Sequence, residues 1–446
     1  MMVAGTSVDE LMQRAGRGAA EWVWRIASGR PVTVLCGPGN NGGDGYVIAQ
    51  SLRQRGLAVV VVAPDEPRTQ AARAARAMWE GAIASSASPA HGGVFVDCLF
   101  GTGLSRALSP EQEQLLEVLV NRHDLTIAVD LPSGVSTDDG ALLGQPPKCD
   151  LTLALGAWKP AHYLMPALER AGQLRLVDIG IGPVEGSAIL SAIPTFGEPA
   201  RAAHKYSRGL LGVVGGVMTG AALLAAKAAM HGGAGYAKLL SPRSHPAAPA
   251  ALVVDEAPLP DALADTRWSA LLVGPGLGRD ADAAARLSAA LERGVPTVLD
   301  ADALHLLDDD FIEGLDTSRL LLTPHEGELA KLCETFGVSG GPKLDKARGL
   351  ARATGLTIMA KGPDTVLAGA DGRTAFFPSA TSWLSVAGTG DVLAGLAASQ
   401  LATGLAPFEA AENAVWLHSK AARVAGPVFT ADDLAAAVPA AYASFL

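Results

Sequence analysis

Cysteine is scarce and without pattern. Cys36, Cys98, Cys149 and Cys333 are the only four in 446 residues, and none sit in C-x-x-C spacing. That excludes a zinc-finger ligand set and a disulfide framework, leaving small buried hydrophobes in a reducing compartment. Aromatic residues make up only 5%, which argues against an aromatic-rich β-sandwich. Excess positive charge is missing: 35 Lys and Arg face 45 Asp and Glu, for a net charge of −10, so nucleic acid is not the expected partner. No apolar run approaches the ~18 residues of a membrane span. A basic, then apolar leader is absent, because Asp9 and Glu10 arrive early. A G-x-x-x-x-G-K-[ST] loop is nowhere found, so nucleotide binding of the Walker type is excluded. The expectation is a cytoplasmic chain with no membrane partner.

What is present is apolar bulk, 49% of residues, with abundant Gly and Ala, in a chain long enough for two or three domains. Ser7 and Glu10 have capping-box spacing, and Leu11, Ala15, Trp22 and Ile26 recur at helical intervals. Short apolar runs then alternate with helical segments: Val32–Cys36, Leu57–Ala63, Val94–Cys98, Leu125–Asp130, Leu151–Leu155 and Gln173–Val177. Proline-punctuated residues from Pro183 to Arg208 break the rhythm. It resumes with Leu210–Val214, Leu271–Val273, Thr297–Asp300, Leu320–Thr323, Thr357–Ala360 and Thr365–Leu367. Continuous apolar strands alternating with helices predict α/β domains with parallel sheets covered on both faces. The expected division is 1–197 and 198–446.

Three polar loops stand at strand ends in the first half. Gly37-Pro38-Gly39-Asn40-Asn41-Gly42-Gly43-Asp44-Gly45 contains G-x-G-x-x-G, with Asp65 roughly 20 residues on, as in a dinucleotide fold. Two adjacent amides do not suit that turn and read as ligands for a cation and a phosphate together. Asp97 precedes Gly101-Thr102-Gly103-Leu104-Ser105-Arg106-Ala107, and Asp130 precedes Pro132-Ser133-Gly134. In open α/β sheets ligands bind beyond the carboxyl ends of the strands, so the three loops are expected to converge.

These loops resemble the signature of the NAD(P)H-hydrate epimerase domain, over roughly residues 5–195. The resemblance implies a Rossmann-like fold and potassium near Asn41, Asp97 and Ser133. It also implies substrate along Asn40, Asn41, Gly42, Gly43 and Asp44 and along Gly101, Thr102, Gly103, Leu104, Ser105, Arg106 and Ala107. Asp130 would stand at the reacting ring. Lys159, in Trp158-Lys159-Pro160, is read as a weaker candidate, a lysine in solvent.

In the second half, Gly388-Thr389-Gly390-Asp391 opens an apolar helix. Unpaired N–H groups at a helix start attract an anion, and a carboxylate there is placed to deprotonate a hydroxyl. Together they are a minimal kit for moving a phosphoryl group to an alcohol. Five more loops accompany it: Lys205–Gly209, supplying positive charge; Gly274–Gly278; Asp300–Leu304; Thr323–Glu328; and Lys361–Thr365. The ordered set resembles the ribokinase-like superfamily, specifically the ADP- or ATP-dependent NAD(P)H-hydrate dehydratase, over roughly residues 200–446. His325 and Glu328 stand where related kinases often carry Asn-x-x-Glu, which favours the dehydratase. The resemblance implies substrate at Ala222, Gly276 and His325, nucleotide at Lys361, Gly362, Pro363, Asp364, Thr365 and Gly390, and Asp391 as base.

Together the halves resemble bacterial bifunctional nicotinamide nucleotide repair proteins. That implies hydrated NADH or NADPH and ADP as substrates, potassium and magnesium as cofactors, and a homo-oligomer. The alternatives are a ribokinase-like small-molecule kinase fused to a dinucleotide-binding domain, and a first domain that is only a scaffold.

Overall fold

The computed structural model describes residues 6–87, 91–182 and 188–446. The chain divides into two compact units, Met1–Glu185 and Gly186–Leu446.

The first unit is a seven-stranded sheet: β1 Val32–Cys36, β2 Val59–Val62, β3 Ile83–Ala84, β4 Gly92–Cys98, β5 His123–Val129, β6 Leu151–Leu155 and β7 Gln173–Val177. The order is β3-β2-β1-β4-β5-β6-β7 and every pairing is parallel. β1 is buried along its whole length, the mark of a strand covered on both faces. Helix Val8–Ala27 starts on Ser7, whose Oγ accepts from Glu10 N at 3.2 Å. The Glu10 carboxylate does not complete a capping box; it pairs with Arg14 at 2.8 Å. The strand order reverses between β1 and β4, so the loops after those strands diverge and open a crevice.

The second unit is a ten-stranded sheet: β8 Ile189–Leu190, β9 Leu210–Val214, β10 Tyr236–Leu240, β11 Val253–Asp255, β12 Trp268–Val273, β13 Thr297–Leu299, β14 Leu320–Leu322, β15 Thr357–Ala360, β16 Val366–Ala368 and β17 Thr374–Phe376. The order is β11-β10-β9-β12-β13-β14-β15-β16-β17-β8. From β11 to β15 all pairings are parallel; β16 runs antiparallel to both β15 and β17. Here the reversal falls between β9 and β12. The core is rich in alanine, from helices Thr219–Ala229, Thr389–Ala402, Pro407–Ala425 and Ala431–Ala443. Small side chains allow close approach: a Cβ on Gly395 would lie 2.2 Å from Ala225 O.

The division falls earlier than the expected 197/198. β8 pairs with β17 through Ile189 and Leu190, and Phe196 packs on Tyr442 and Phe445 with ring centroids 4.8 and 5.0 Å apart. These residues therefore belong to the second unit. Pro183, the first proline of the stretch that breaks the strand–helix rhythm, lies outside the described residues. Among those residues no helix is long and apolar enough to cross a membrane, and all four cysteines are free and buried.

Candidate active sites

In the first unit, helix Asn40–Gln54 begins on Gly39 without a side-chain cap. Its glycines answer a packing demand. A Cβ on Gly37 would sit 1.8 Å from Leu99 O, and one on Gly42 would sit 1.8 Å from Gly37 O. Gly45 faces Cys36 Sγ and Cys98 Cβ at 2.8 and 2.9 Å from its Cβ position. The helix start is thereby pressed onto the ends of β1 and β4, with its first N–H groups free for an anion.

Asp97, at the end of β4, is fully buried. It accepts from Ser133 N at 2.9 Å, Ser133 Oγ at 2.7 Å and Leu99 N at 3.1 Å, while Phe100 N donates to Ser133 Oγ at 2.9 Å. Burial raises the Asp97 carboxyl pKa against these bonds. Asp130 follows β5 with φ 68°, a left-handed conformation uncommon outside glycine. Its Oδ2 accepts from Thr102 N at 3.3 Å and its Oδ1 from Leu155 N at 3.3 Å. A Cβ on Gly101 would meet Asp130 Oδ2 at 3.1 Å and Asn41 Cγ at 3.2 Å. The loops after β1, β4 and β5 thus meet around Gly101. The Asn41 carboxamide is buried with neither Oδ1 nor Nδ2 partnered.

Asp44, nearly buried in the same helix start, has its pKa pushed well up, first by burial and then by the Asp130 charge; Lys159 opposes this. Asn40 is exposed, with Oδ1 held by Thr69 Oγ1 at 2.6 Å. Thr102, Gly103, Ser105, Arg106 and Ala107 form an exposed rim, Leu104 half-buried among them. Lys159 departs from expectation. It is not solvated: its side chain is 16% exposed, ion-paired to Asp130 and bonded to Leu155 O at 2.8 Å.

In the second unit, helix Thr389–Ala402 starts on Gly388, whose φ of 88° suits glycine. Among the described residues no backbone carbonyl accepts from the N–H groups of Gly390 or Asp391. The helix start is fixed from two sides: Thr389 Oγ1 donates to Leu384 O at 2.9 Å, and His418 Nε2 to Thr389 O at 3.0 Å. Burial pushes His418 down to about 4, so the ring is neutral and can donate from Nε2. Asp391 is raised to about 7, first by burial and then by the Asp300 charge, against the attraction of Lys361. Lys361, at the end of β15, bonds Asp300 at 2.6 Å, and Thr323 Oγ1 bonds the same oxygen at 2.7 Å. Its Nζ lies 3.6 Å from the Cβ position of Gly390. Asp300, Lys361 and the Gly390–Asp391 turn are one cluster.

The remaining expected residues divide. Gly276, with φ 66°, presses on Met218 and accepts from Met218 N at 2.9 Å. His325 caps helix Glu326–Thr335, its Nδ1 accepting from Gly327 N and Glu328 N at 3.0 and 3.2 Å, while the side chain stays 62% exposed. Gly362 and Pro363 are exposed, and Thr365 Oγ1 bonds Gly362 O at 2.9 Å. Asp364 is buried against Lys343 and shapes this loop rather than facing outward. Ala222 is fully buried and its methyl packs in the core, so it can offer a ligand only its backbone. Lys205–Gly209 does not join the cluster. It precedes β9, Lys205 stacks on Tyr206 and Tyr236 at 5.0 and 4.6 Å, and Gly209 abuts Ala402, the far end of the helix that Asp391 begins. His418 and Asp300 gave weaker sequence signals; only Asp300, beside the Asp302 turn, was open to detection.

A sheet wound both ways, with a glycine-led helix start and the Asp300–Lys361–Asp391 cluster at its switch point, gives the second unit a ribokinase-like fold, here following a Rossmann-like unit. Residues 211–439 match the family model described as NAD(P)H-hydrate dehydratase, and residues 8–161 match that of the YjeF-related protein N-terminus. The bifunctional NAD(P)H-hydrate repair enzyme of Salinibacter ruber is 35% identical across 92% of this chain and 87% of its own length. That of Mycobacterium tuberculosis is 34% identical across 92% and 88%. Among solved structures, the ADP/ATP-dependent NAD(P)H-hydrate dehydratase of Bacillus subtilis, co-crystallised with ATP and Mg2+, is 26% identical with a TM-score of 0.50, covering 56% of this chain and 95% of its own. A ribokinase-like superfamily protein of Enterococcus faecalis, 23% identical with a TM-score of 0.51 over 59% and 98%, shares the fold. The chain belongs to the bifunctional NAD(P)H-hydrate repair enzymes, epimerase half first and dehydratase half second.

Proposed function

We propose that the second unit transfers the β-phosphoryl group of ADP to the C6 hydroxyl of the S epimer of hydrated NADH or NADPH, with Asp391 as base. The observation that carries this is Asp391 itself, a carboxylate that holds its proton up to about 7 on a helix start with free N–H groups. Such a group is poised to accept a proton near neutrality. The N–H groups of Gly390 and Asp391 offset charge on the transferring phosphoryl group. Phosphate then leaves C6, the ring nitrogen supplies its lone pair, and loss of a C5 proton gives the reduced dinucleotide, AMP and phosphate. Lys361 to Thr365 and Gly390 would line the nucleotide; Gly276, His325 and the backbone of Ala222 would line the substrate. Magnesium would travel on the ADP phosphates, because no group of three or more His, Cys, Asp or Glu suited to a metal occurs among the described residues.

In the first unit Asp130 would face the reacting ring, where loss of water from C6 leaves an iminium that a carboxylate stabilises and water re-enters from either face. Substrate would lie along Asn40–Asp44 and the Gly101–Ala107 rim. The site fits potassium. An orphaned Asn41 Oδ1 adjoins Gly101, in the loop after Asp97, and Ser133 from the loop after β5 bonds Asp97; all three offer hard oxygen donors. When bound, potassium supplies positive charge beside three carboxylates and the dinucleotide phosphates. The protein would act in the cytoplasm, in keeping with its free cysteines, and as a homo-oligomer. The test is hydrated NADH with the protein, with and without ADP, followed by nicotinamide absorbance. ADP-dependent recovery supports the reading; a stable phosphoester would make the second unit a kinase instead.

A further inference from the structure

Lys159 has no place in the chemistry just described, yet it is built into the first site. Its ammonium pairs with Asp130 Oδ1 and donates to Leu155 O at 2.8 Å, with side-chain exposures of 16% and 9% for the pair. A charge pair this buried contributes little net stability, since desolvation offsets the attraction. The pair is also held by backbone. His162, fully buried, bonds Asp130 O through Nε2 at 2.7 Å and accepts Lys159 N through Nδ1 at 2.9 Å. A carbonyl on one side and an N–H on the other require the neutral Nε2–H tautomer. Burial keeps the ring neutral, pushing it down to about 4. His162 therefore joins the backbone of the lysine to that of the aspartate. Trp158 packs edge-on against His162 and Tyr163, at 5.6 and 5.5 Å, and closes the corner.

Three further facts converge. Asp130 holds a left-handed φ of 68°, a conformation that persists in a non-glycine residue where surroundings enforce it. Its Oδ1 is taken by Lys159 and Leu155 N, so Oδ2 alone is turned to Thr102 and the Gly101 loop. Asp44, buried in the helix start, feels both members of the pair: the Asp130 charge raises its pKa and the Lys159 ammonium lowers it, so the lysine offsets the field that Asp130 sets up in the site.

We propose that Lys159 is a positioning residue of the epimerase half: it occupies Asp130 Oδ1 and presents Oδ2 to the reacting C6 centre, with His162 fixing both backbones. The proposal rests on the reading of Asp130 as the carboxylate at the ring. In the step itself the C6 hydroxyl takes a proton from solvent and leaves as water as the ring nitrogen's lone pair forms the iminium, and water then adds to the opposite face and returns a proton to solvent. Lys159 takes no part in bond making; it sets which carboxylate oxygen meets the cation.

The experiment is R-epimer consumption by the whole chain, with excess ADP so that the dehydratase half removes S as it forms. It uses Lys159→Met, Lys159→Arg, Asp130→Asn and the double variant Lys159→Met with Asp130→Asn. Dehydration of pure S epimer and thermal unfolding serve as controls in the same molecules. Expected is a kcat lowered about 10²-fold in Lys159→Met with KM within about twofold, as for misplacement of a reacting group, and at least about tenfold recovery in Lys159→Arg. The double variant should be no slower than Asp130→Asn alone, because the lysine acts through the aspartate. A Lys159→Met protein with wild-type kcat overturns the proposal, and so does a double variant in which the two losses multiply. Should Lys159→Met fail to fold, the Arg variant decides: wild-type folding with no recovered turnover above Asp130→Asn counts against it. Wild-type protein no faster than spontaneous epimerisation would instead overturn the epimerase reading, and this inference with it.

Discussion

Asp391→Asn should move stability and activity in opposite directions. Burial and Asp300 hold the Asp391 proton up to about 7, whereas a carboxyl in an unfolded chain loses it near ~4. Between those values the folded chain keeps a proton that the unfolded chain has released. Stability therefore falls as pH rises through this window and stays low above it. At ~1.4 kcal/mol per tenfold change in proton affinity, the ceiling is roughly 4 kcal/mol of strain in the ionised form. Partial solvent exposure screens some of it, and the helix start favours the carboxylate by up to ~1 kcal/mol. About 1–2 kcal/mol remains. Asparagine keeps the shape without the charge, so at pH 8 the unfolding transition of the second unit should rise by about 2–8 °C. At pH 4 the gain should nearly vanish, because the wild-type group is then protonated in the folded chain and already about half protonated in the unfolded one. ADP-dependent recovery of NADH should meanwhile fall ~10²–10⁴-fold, the usual worth of a general base. Calorimetry at the two pH values and an absorbance assay read both effects. Equal melting of variant and wild type at pH 8 would refute the crowded-charge argument, and undiminished turnover would remove Asp391 from the mechanism.

The same electrostatics predict that dehydratase activity is lost as pH falls through about 7. In Lys361→Met this acid limb should move to higher pH, since the cation that opposes Asp300 and Asp302 is gone; an unmoved limb in a pH–rate profile would contradict the cluster. Gly42→Ala places a Cβ 1.8 Å from Gly37 O, so urea unfolding of the first unit should show a loss of about 3 kcal/mol or more, with S-epimer dehydration retained. Ser133→Ala removes the hydroxyl that joins Asp97 to Phe100 N. R-epimer consumption should then lose its response to potassium over choline, and a retained response would take Ser133 out of the cation site. A fragment beginning at 186 should melt above one beginning at 200, which lacks Ile189–Leu190 and the Phe196 contacts with Tyr442 and Phe445; equal melting would mean that the 186–199 segment adds nothing to the second unit.

Most of the sheet was legible because its strands are covered on both faces. Val32–Cys36 and Leu210–Val214 are continuous apolar runs, and both are strands with those bounds. β11 and β17, at three residues each, offer too little periodicity. Helix Ala431–Ala443 is so alanine-rich that beyond Asp432 and Asp433 in its first turn no polar face marks it. The glycine loops were legible because their spacing reflects steric demands a sequence must meet, as Gly37 and Gly42 show. The domain limit was misplaced for a related reason. Proline marks where a chain leaves regular structure, but β8 and Phe196 join the second unit through pairings with residues far along the chain.

Lys159 marks where local reading stops. A lysine between tryptophan and proline carries no local sign of burial, because what buries it comes from elsewhere: Asp130, 29 positions earlier, and the carbonyl of Leu155. Its nearest clue was His162, three residues on, the spacing at which a side chain can reach back to cap a short turn. A histidine there is ordinarily a cap and nothing more. It becomes informative only when its second nitrogen is found on Asp130 O, since a ring that bonds two backbones in one tautomer ties their side chains into one unit. Asp391 is the contrasting case. Its partners Lys361 and Asp300 are equally remote in sequence, but its helix start was visible, and a carboxylate among unpaired N–H groups already implies an anion and a proton. Polar groups placed by a helix end can be read from sequence; those placed by an ion pair across two loops need the fold.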